Sequence, residues 1–227
     1  MAITELLTKN ASLYPNEVSL VEREPALCSR RELTWLEFEN QSNKIANALI
    51  DFGIKKGDKV ALLLMNCLEW LPCYFGILKT GAMAVPLNFR FTSGEIEKCT
   101  AAADAKILFY GPEFCERITE VKDNLSFIEK FIFVDANSDK NEDICNSLKT
   151  DINFGNPDRY ITYENLIDKY SSEALNIKIT NEDDAALYFT SGTTGTPKPI
   201  MLTHANLLSA AVTEEAHHKL THQDNYL

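Results

Sequence analysis

The chain has 227 residues, of which 45% are hydrophobic and 24% are charged, the composition of an ordinary globular protein. Lysine and arginine number 22 against 33 aspartates and glutamates, so the net charge is −11 at pH 7. This acidity argues against nucleic acid or an anionic membrane as the main partner. It does not exclude a small anionic ligand, because a local cluster of donors can hold a phosphate group.

The cysteines and the apolar runs are typical of a protein from the reducing cytoplasm. Several cysteines lie within apolar runs such as ALLLMNCLEWLPCYF and none forms a Cys-x-x-Cys pair, so we interpret them as reduced, partly buried thiols. They are Cys28, Cys67, Cys73, Cys99, Cys115 and Cys145. The start, MAITELLTKN, lacks the apolar core of a signal peptide, and runs such as VALLLM are too short to cross a bilayer. The sequence therefore predicts a cytoplasmic protein without a transmembrane segment.

Strands and helices alternate along residues 34–135. The predicted elements are a helix over 34–50, a strand over 59–65, a helix capped by Asn66 and ending at Gly81, a strand over 82–87, a helix from Thr92 to Ala103, a strand over 105–110, a helix over 112–124 and a strand over 130–135. Capping boxes at Thr34–Glu37 and Thr92–Glu95 begin two of the helices. Continuous apolar strands with helices between them indicate an α/β fold, a doubly wound and mostly parallel sheet flanked by helices.

The pattern changes after residue 135. Residues 136–160 are polar and loop-like, with a short helix around 144–149 as one option. A helix over 163–170, a strand over 181–190 and a helix capped by Thr203 follow, and the acidic run 182–184 is interpreted as a solvated turn. We predict an α/β subdomain over 1–180 and, over 181–227, the opening of a second one. The last residues, THQDNYL, resemble the approach to a further strand, so we expect downstream domains or a partner chain to complete the structure.

The stretch TSGTTGTPKP, residues 190–199, joins the last predicted strand to the last helix. Gly192 and Gly195 let backbone N–H groups approach a ligand, and Lys198 supplies a positive charge for a terminal phosphate. The loop also offers hydroxyl groups to phosphate oxygens or Mg²⁺, from Ser191, Thr193, Thr194 and Thr196. Together these groups have the chemistry of a polyphosphate-binding loop, although a loop of this composition is more often a solvated turn.

The loop is not a Walker A motif, which needs a glycine, four residues and then Gly-Lys-Ser/Thr. Here Lys198 follows Gly195 by three positions and is flanked by Pro197 and Pro199. The two prolines restrain the lysine to an extended backbone. The lysine is therefore held on a stiff segment and not at a helix N-terminus.

The string TSGTTGTPK followed by MLTHANL resembles the phosphate-binding loop of the adenylate-forming enzymes. This family includes acyl-CoA synthetases, luciferases, coumarate–CoA ligases and peptide-synthetase adenylation domains. The segments LTWLEFENQSNKIANAL, KGDKVALLLMNCLEW, KTGAMAVPLNFRFTSGEI and DAKILFY also resemble the family's N-terminal region, so the resemblance covers essentially the whole chain. The segment VPLNFRFTSGEI is most similar to the branch of fatty or medium-chain acyl-CoA synthetases.

The resemblance implies a two-step reaction. A carboxylate attacks the α-phosphate of ATP–Mg²⁺ to give an acyl-adenylate and pyrophosphate, and the thiol of CoA then displaces AMP to give a thioester. The loop would hold the β- and γ-phosphates in line, with Lys198 as the catalytic cation and Thr190 or Ser191 reaching the Mg²⁺. By the match, the nucleotide-binding residues are Thr190, Ser191, Gly192, Thr193, Thr194, Gly195 and Lys198.

Two departures from the family pattern matter. Pro199 stands where the family usually has glycine, which fixes φ and removes a backbone donor at the loop exit. The family's later motifs are also absent: the aromatic-Thr-Glu segment near the adenine, the aspartate that binds the ribose, the hinge, and the C-terminal domain with its catalytic lysine. We therefore expect this segment alone not to complete the reaction. The alternatives are a non-catalytic ATP- or AMP-binding module and a half-domain completed by another chain.

The four histidines lie within the last 24 residues. His218 and His222 would share one face of a helix, but no carboxylate or cysteine completes a metal site there, so we favour a solvated helix end. His204 follows the capping residue Thr203, and we interpret it as a structural residue near the loop and not as a general base.

Overall fold

The computed structural model describes residues 1–24, 28–135, 157–190, 197–221 and 224. The helices are α1 (Ile3–Leu13), α2 (Trp35–Asp51), α3 (Trp70–Lys79), α4 (Ser93–Ala103), α5 (Cys115–Glu120), α6 (Tyr163–Lys169) and α7 (His204–His218). The strands are β1 (Val18–Glu24), β2 (Ser29–Thr34), β3 (Lys59–Leu63), β4 (Met83–Pro86), β5 (Ala105–Tyr110), β6 (Lys130–Phe133), β7 (Tyr160–Thr162), β8 (Asp184–Thr190) and β9 (Lys198–Thr203). Among these residues, no helix is long and apolar enough to cross a membrane.

A seven-stranded sheet organises the molecule, in the order β7-β6-β5-β3-β4-β8-β9. All neighbouring strands are parallel except β8 and β9, which form an antiparallel hairpin. Strands β1 and β2 pair separately as an antiparallel ribbon. The predicted α/β fold with a doubly wound, mostly parallel sheet is therefore confirmed.

Both faces of the sheet are covered by helices, which explains the continuous apolar strands. In β3, Val60 and Leu62 point to the face covered by α2, α3 and α6, while Ala61 and Leu63 point to the face covered by α4 and α5. All four strand residues are at most 1% exposed. The alternation of side chains along a single strand thus builds two apolar cores, one on each face of the sheet.

Local signals located most of the helices correctly. The capping boxes at Thr34–Glu37 and Thr92–Glu95 are both present, with the Thr34 hydroxyl accepting from the Glu37 N–H at 3.2 Å. The strand over 105–110 and the helix after Thr203 also have the predicted positions. These elements depend on contacts between near neighbours in the chain, which is why the sequence alone locates them.

Other boundaries were wrong. The predicted cap at Asn66 is incorrect, because α3 begins at Trp70 with Glu69 as its N-cap. Pro72 explains the late start, since proline is tolerated in the first helical turn but would lose a hydrogen bond further inside. The predicted helix over 112–124 is divided into α5 and two flanking 3₁₀ turns, Pro112–Phe114 and Lys122–Leu125.

Some elements were not predicted, and two predictions stay open. Helix α1, the β1–β2 ribbon and strand β7 had no counterpart in the expected element order. The optional helix at 144–149 lies outside the described residues. Strands from both sides of the proposed boundary share one sheet, and the division into 1–180 and 181–227 stays a prediction.

The base of the β8–β9 hairpin is anchored by Asp183, which is not simply part of a solvated turn. The Asp183 carboxylate pairs with Lys56 Nζ at 2.6 Å and accepts from the Thr180 N–H at 2.7 Å. The Asp183 carbonyl accepts from the His204 N–H at 3.0 Å. These contacts connect the loop before β3, the start of β8 and the start of α7, so they fix the hairpin where it joins the sheet.

His204, whose N–H donates to the Asp183 carbonyl, is fully buried. Its pKa is lowered because burial removes solvent from the charged form, an effect that the negative charge of Asp183 opposes and the positive charge of Lys56 reinforces. The imidazole is therefore neutral at physiological pH. This agrees with the interpretation of His204 as a structural residue.

Gly76 allows α3 to pack closely against α2, and Gly76→Ala tests that contact. An added Cβ would lie 2.6 Å from Ile45 Cγ2 and 2.7 Å from Ile45 Cβ, so we expect the unfolding free energy to fall by about 1–3 kcal/mol. Gly94→Ala in α4 is the matched control, because its Cβ would meet nothing within 4 Å. Urea unfolding followed by circular dichroism measures both, and equal midpoints for the two variants would contradict the packing argument.

The pKa of His204 predicts how stability depends on pH. Because the folded pKa lies below the value of about 6.5 in an unfolded chain, acid favours the unfolded state as pH falls through that value toward the folded pKa. We expect the wild type to lose more melting temperature than His204→Gln between about pH 7.5 and pH 5. His217→Gln on the exposed end of α7 is the control and should behave as wild type. Parallel melting curves for wild type and His204→Gln would disprove the role of the buried imidazole.

Candidate functional site

The predicted loop begins at the carboxyl-terminal edge of the parallel sheet. Strand β8 runs parallel to β4, so its last residue, Thr190, lies at the edge where β3, β4 and β5 also end. Ligands of open α/β sheets bind at this edge. In the antiparallel register of the hairpin, Thr190 is directly opposite Lys198, the first residue of β9. The two ends of the loop therefore meet at one point on the edge.

Thr190 and Lys198 are the predicted site residues that the structure describes. Both are exposed, and the Thr190 hydroxyl donates to the Lys198 carbonyl over 3.5 Å, a long and weak bond. Among the described residues, no carboxylate forms an ion pair with Lys198. The Lys198 charge is thus available to an anionic ligand, and the Thr190 hydroxyl can turn to one at little cost.

The remaining predicted contacts lie outside the described residues. These are Ser191, Gly192, Thr193, Thr194 and Gly195, together with the Thr196 hydroxyl. Their roles stay predictions, and the geometry of the site rests on the two residues that flank them.

The described residues fit a phosphate group better than a metal held by protein side chains alone. An exposed ammonium group and a hydroxyl are donors that match phosphate oxygens. The part of the chain that the structure describes contains no cluster of three histidine, cysteine, aspartate or glutamate side chains placed to hold a metal. The Mg²⁺ contact of Thr190 stays a prediction.

Pro199 lies within strand β9, close to the end of the loop. It is opposite Phe189 in the register. Strand β9 is last in the order of the described sheet, and edge strands are where proline is tolerated in sheets. The departure from the family pattern is thus compatible with the pairing of β8 and β9, and its effect on nucleotide binding stays a prediction.

Among the residues that the structure describes, the other side chains considered from the sequence do not form a second site. His218 pairs with Glu214 at 3.1 Å on an exposed helix end, and His222 lies outside the described residues. Burial raises the pKa of Cys67 to about 12, so this thiol is protonated and unreactive at physiological pH. Cys73, Cys99 and Cys115 are buried, and Cys145 lies outside the described residues.

Sequence reasoning did not identify the residues that hold the loop-bearing hairpin. Lys56 and Asp183 are 127 positions apart, and Tyr74 and Tyr188, whose hydroxyl groups lie 3.3 Å apart, are separated by 114 positions. No local pattern connects residues at such separations. Only the order of the strands in the sheet brings them together.

Comparison with known proteins assigns the family. The profile of the AMP-binding enzyme family matches residues 7–227. A medium/long-chain-fatty-acid–CoA/3-oxocholest-4-en-26-oate–CoA ligase from Mycolicibacterium smegmatis is 31% identical over 205 residues, which are 90% of this chain and 34% of the relative. The chain thus spans about a third of the length of that relative.

Solved structures show the same fold. The anthranilate–CoA ligase AuaEII, in complex with anthranoyl-AMP, is similar with a TM-score of 0.74 and 26% identity over 90% of this chain and 35% of that protein. A long-chain-fatty-acid–CoA ligase from Archaeoglobus fulgidus has a TM-score of 0.79 and 22% identity, covering 99% of this chain and 41% of its own. Because the family profile covers nearly all of its residues, the chain belongs to the AMP-binding enzyme family and corresponds to the N-terminal part of such enzymes.

Proposed function

We propose that the chain is the N-terminal, nucleotide-binding part of an ATP-dependent carboxylate–CoA ligase. Such an enzyme forms an acyl-adenylate and then an acyl-CoA thioester. The observation that carries the proposal is the placement of Thr190 opposite Lys198 at the mouth of the TSGTTGTPK loop, with the lysine exposed and outside any described ion pair. The similarity to a ligase solved with anthranoyl-AMP, an acyl-adenylate, supports the same class of intermediate.

In the proposed reaction, the loop binds the β- and γ-phosphates of ATP. The Lys198 ammonium group neutralises the negative charge that grows on the leaving pyrophosphate when the carboxylate attacks the α-phosphate. The Thr190 hydroxyl donates to, or orients, a phosphate oxygen or the accompanying Mg²⁺. Because both residues lie on paired strands, their separation is set by the backbone ladder before the nucleotide binds, which lowers the entropic cost of binding.

We propose a fatty acid as the carboxylate and CoA as the acceptor thiol. The fatty-acid–CoA ligase named above and the segment VPLNFRFTSGEI support this choice. The anthranilate–CoA ligase shows that relatives with this fold also act on an aromatic acid. Small molecules are thus the expected partners of the chain, and the cytoplasmic location stays a prediction.

A second candidate is a nucleotide-binding module or half-domain completed by further protein. Strand β9 is last in the described sheet and carries two exposed apolar residues, Ile200 at 46% and Met201 at 59%. Such an edge favours coverage by additional protein, from downstream residues or from another chain. We propose that the 227-residue segment binds nucleotide without completing the reaction. Pyrophosphate release on addition of a carboxylic acid distinguishes a complete ligase from a binding module.

Lys198→Ala tests the nucleotide site. Loss of a charge-assisted contact to phosphate costs about 1.5–3 kcal/mol, so we expect the dissociation constant for ATP–Mg²⁺ to rise about ten- to a hundredfold. Titration calorimetry measures it. Lys9→Ala, on the exposed face of α1, makes the same change in net charge and should leave affinity unchanged. Equal affinities for Lys198→Ala and wild type would contradict the assignment of the loop.

Pro199→Gly tests the departure from the family pattern. The substitution restores a backbone donor beside Lys198 and frees φ, so we expect ATP affinity to increase. Pro199→Ala is the matched control, since it restores the donor without opening positive φ. Higher ATP affinity in Pro199→Gly alone would assign the effect to φ, and higher affinity in both variants would assign it to the backbone donor. Unchanged or lower affinity in Pro199→Gly would count against the prediction.

A further inference from the structure

After Ala186, the half of β8 that leads to the loop has no registered backbone pair with the parallel strand β4 in the described structure. Within the described residues, the registered pair between β8 and β4 is Ala186 with Ala84 and no other, whereas β8 pairs with β9 from Asp184 to Thr190. After Ala186, the backbone of β8 therefore has only β9 as a ladder partner. The end of β8 that carries Thr190 must be positioned by side chains.

Tyr188 provides the contact. Its hydroxyl lies 3.3 Å from the hydroxyl of Tyr74 on α3, and either group can donate. In the described part of the chain, this is the one side-chain hydrogen bond that joins residues 187–190 to anything outside the hairpin. Apolar contacts add to it, since Leu187 packs in the core on the opposite face and Phe189 lies against that core.

Tyr74 is itself held firmly in place. It is 6% exposed, and its ring stacks on Trp70 with centroids 5.2 Å apart and an angle of 15° between the planes. Burial and the neighbouring Tyr188 hydroxyl raise the pKa of Tyr74, so the phenol stays protonated and able to donate. The buried phenol of Tyr74 thus offers a fixed hydrogen-bonding partner to Tyr188, which also packs against the same apolar core.

Tyr188 is well placed to transmit this constraint to the loop. Residues two apart on a strand point to the same face, so Tyr188 and Thr190 share a face and are separated by about 6.6 Å. We propose that Tyr74 is a positioning residue, which sets the location of the Thr190 end of β8 through its hydrogen bond to Tyr188. The link to ATP rests on the proposed function, whereas the link to the hairpin does not.

Tyr74→Phe, Tyr188→Phe and the double variant test the proposal through nucleotide binding. Loss of a neutral hydrogen bond costs about 0.5–1.5 kcal/mol, so each single variant should raise the dissociation constant for ATP–Mg²⁺ about three- to tenfold. The double variant should be no weaker than either single one, because both remove the same bond. Tyr163→Phe is the matched control, since it removes a buried phenol bonded to Gln41 of α2 at 2.9 Å and not to β8.

Amide hydrogen exchange of peptides covering residues 184–203 supplies a readout that needs no nucleotide. We expect faster exchange after residue 186 in Tyr74→Phe and Tyr188→Phe, but not in Tyr163→Phe. Because Tyr188 is partly exposed, its variant should fold even if Tyr74→Phe does not. Faster exchange with weaker ATP binding supports the proposal, and unchanged exchange overturns it whether or not affinity falls. If the wild-type protein binds no ATP but the two variants still exchange faster, the positioning role of Tyr74 is retained and the proposed function is rejected.

Discussion

The antiparallel pairing of β8 with β9 is the constraint on which the candidate site depends. A parallel strand at this position would send the chain away across the sheet, and the two ends of the loop would lie far apart. The hairpin instead returns the chain at once, so Thr190 and Lys198 face each other at the edge where the parallel strands end. The two ends of the loop are thus joined by the pairing of Thr190 with Lys198.

This local closure is compatible with the proposed polyphosphate site, although the chain as a whole is acidic. The net charge of −11 disfavours anions at long range, but screening limits that field to about 10 Å in salt. Within that distance, what matters is whether a nearby cation is already neutralised. Lys56 and Lys79 are committed to Asp183 and Glu39, whereas Lys198 has no carboxylate partner among the described residues.

The sequence was informative wherever structure depends on neighbours in the chain. The capping boxes, the apolar strands and the loop string could all be identified, because each involves residues within a few positions of one another. The start of α3 was missed because the restriction by Pro72 outweighs the capping preference of Asn66. The pairs Lys56–Asp183 and Tyr74–Tyr188 could not be predicted, since their contact depends on β8 returning beside β4 after the outer strands β5 to β7 are complete.

The hairpin is held unequally along its length. Its base has an ion pair, a buried imidazole and a ladder bond to β4, while its loop end has one phenol contact and apolar packing. Ligand-binding segments are generally drawn from the less stable parts of a fold, because they must adjust to the ligand. If the proposed function holds, the firmly held base sets the position of Thr190 and Lys198 relative to the sheet, and the lightly held end lets these two residues adjust to the phosphates. On the same proposal, the described hairpin binds the nucleotide and does not select the acid, in keeping with relatives that are named as ligases of fatty acids and of anthranilate.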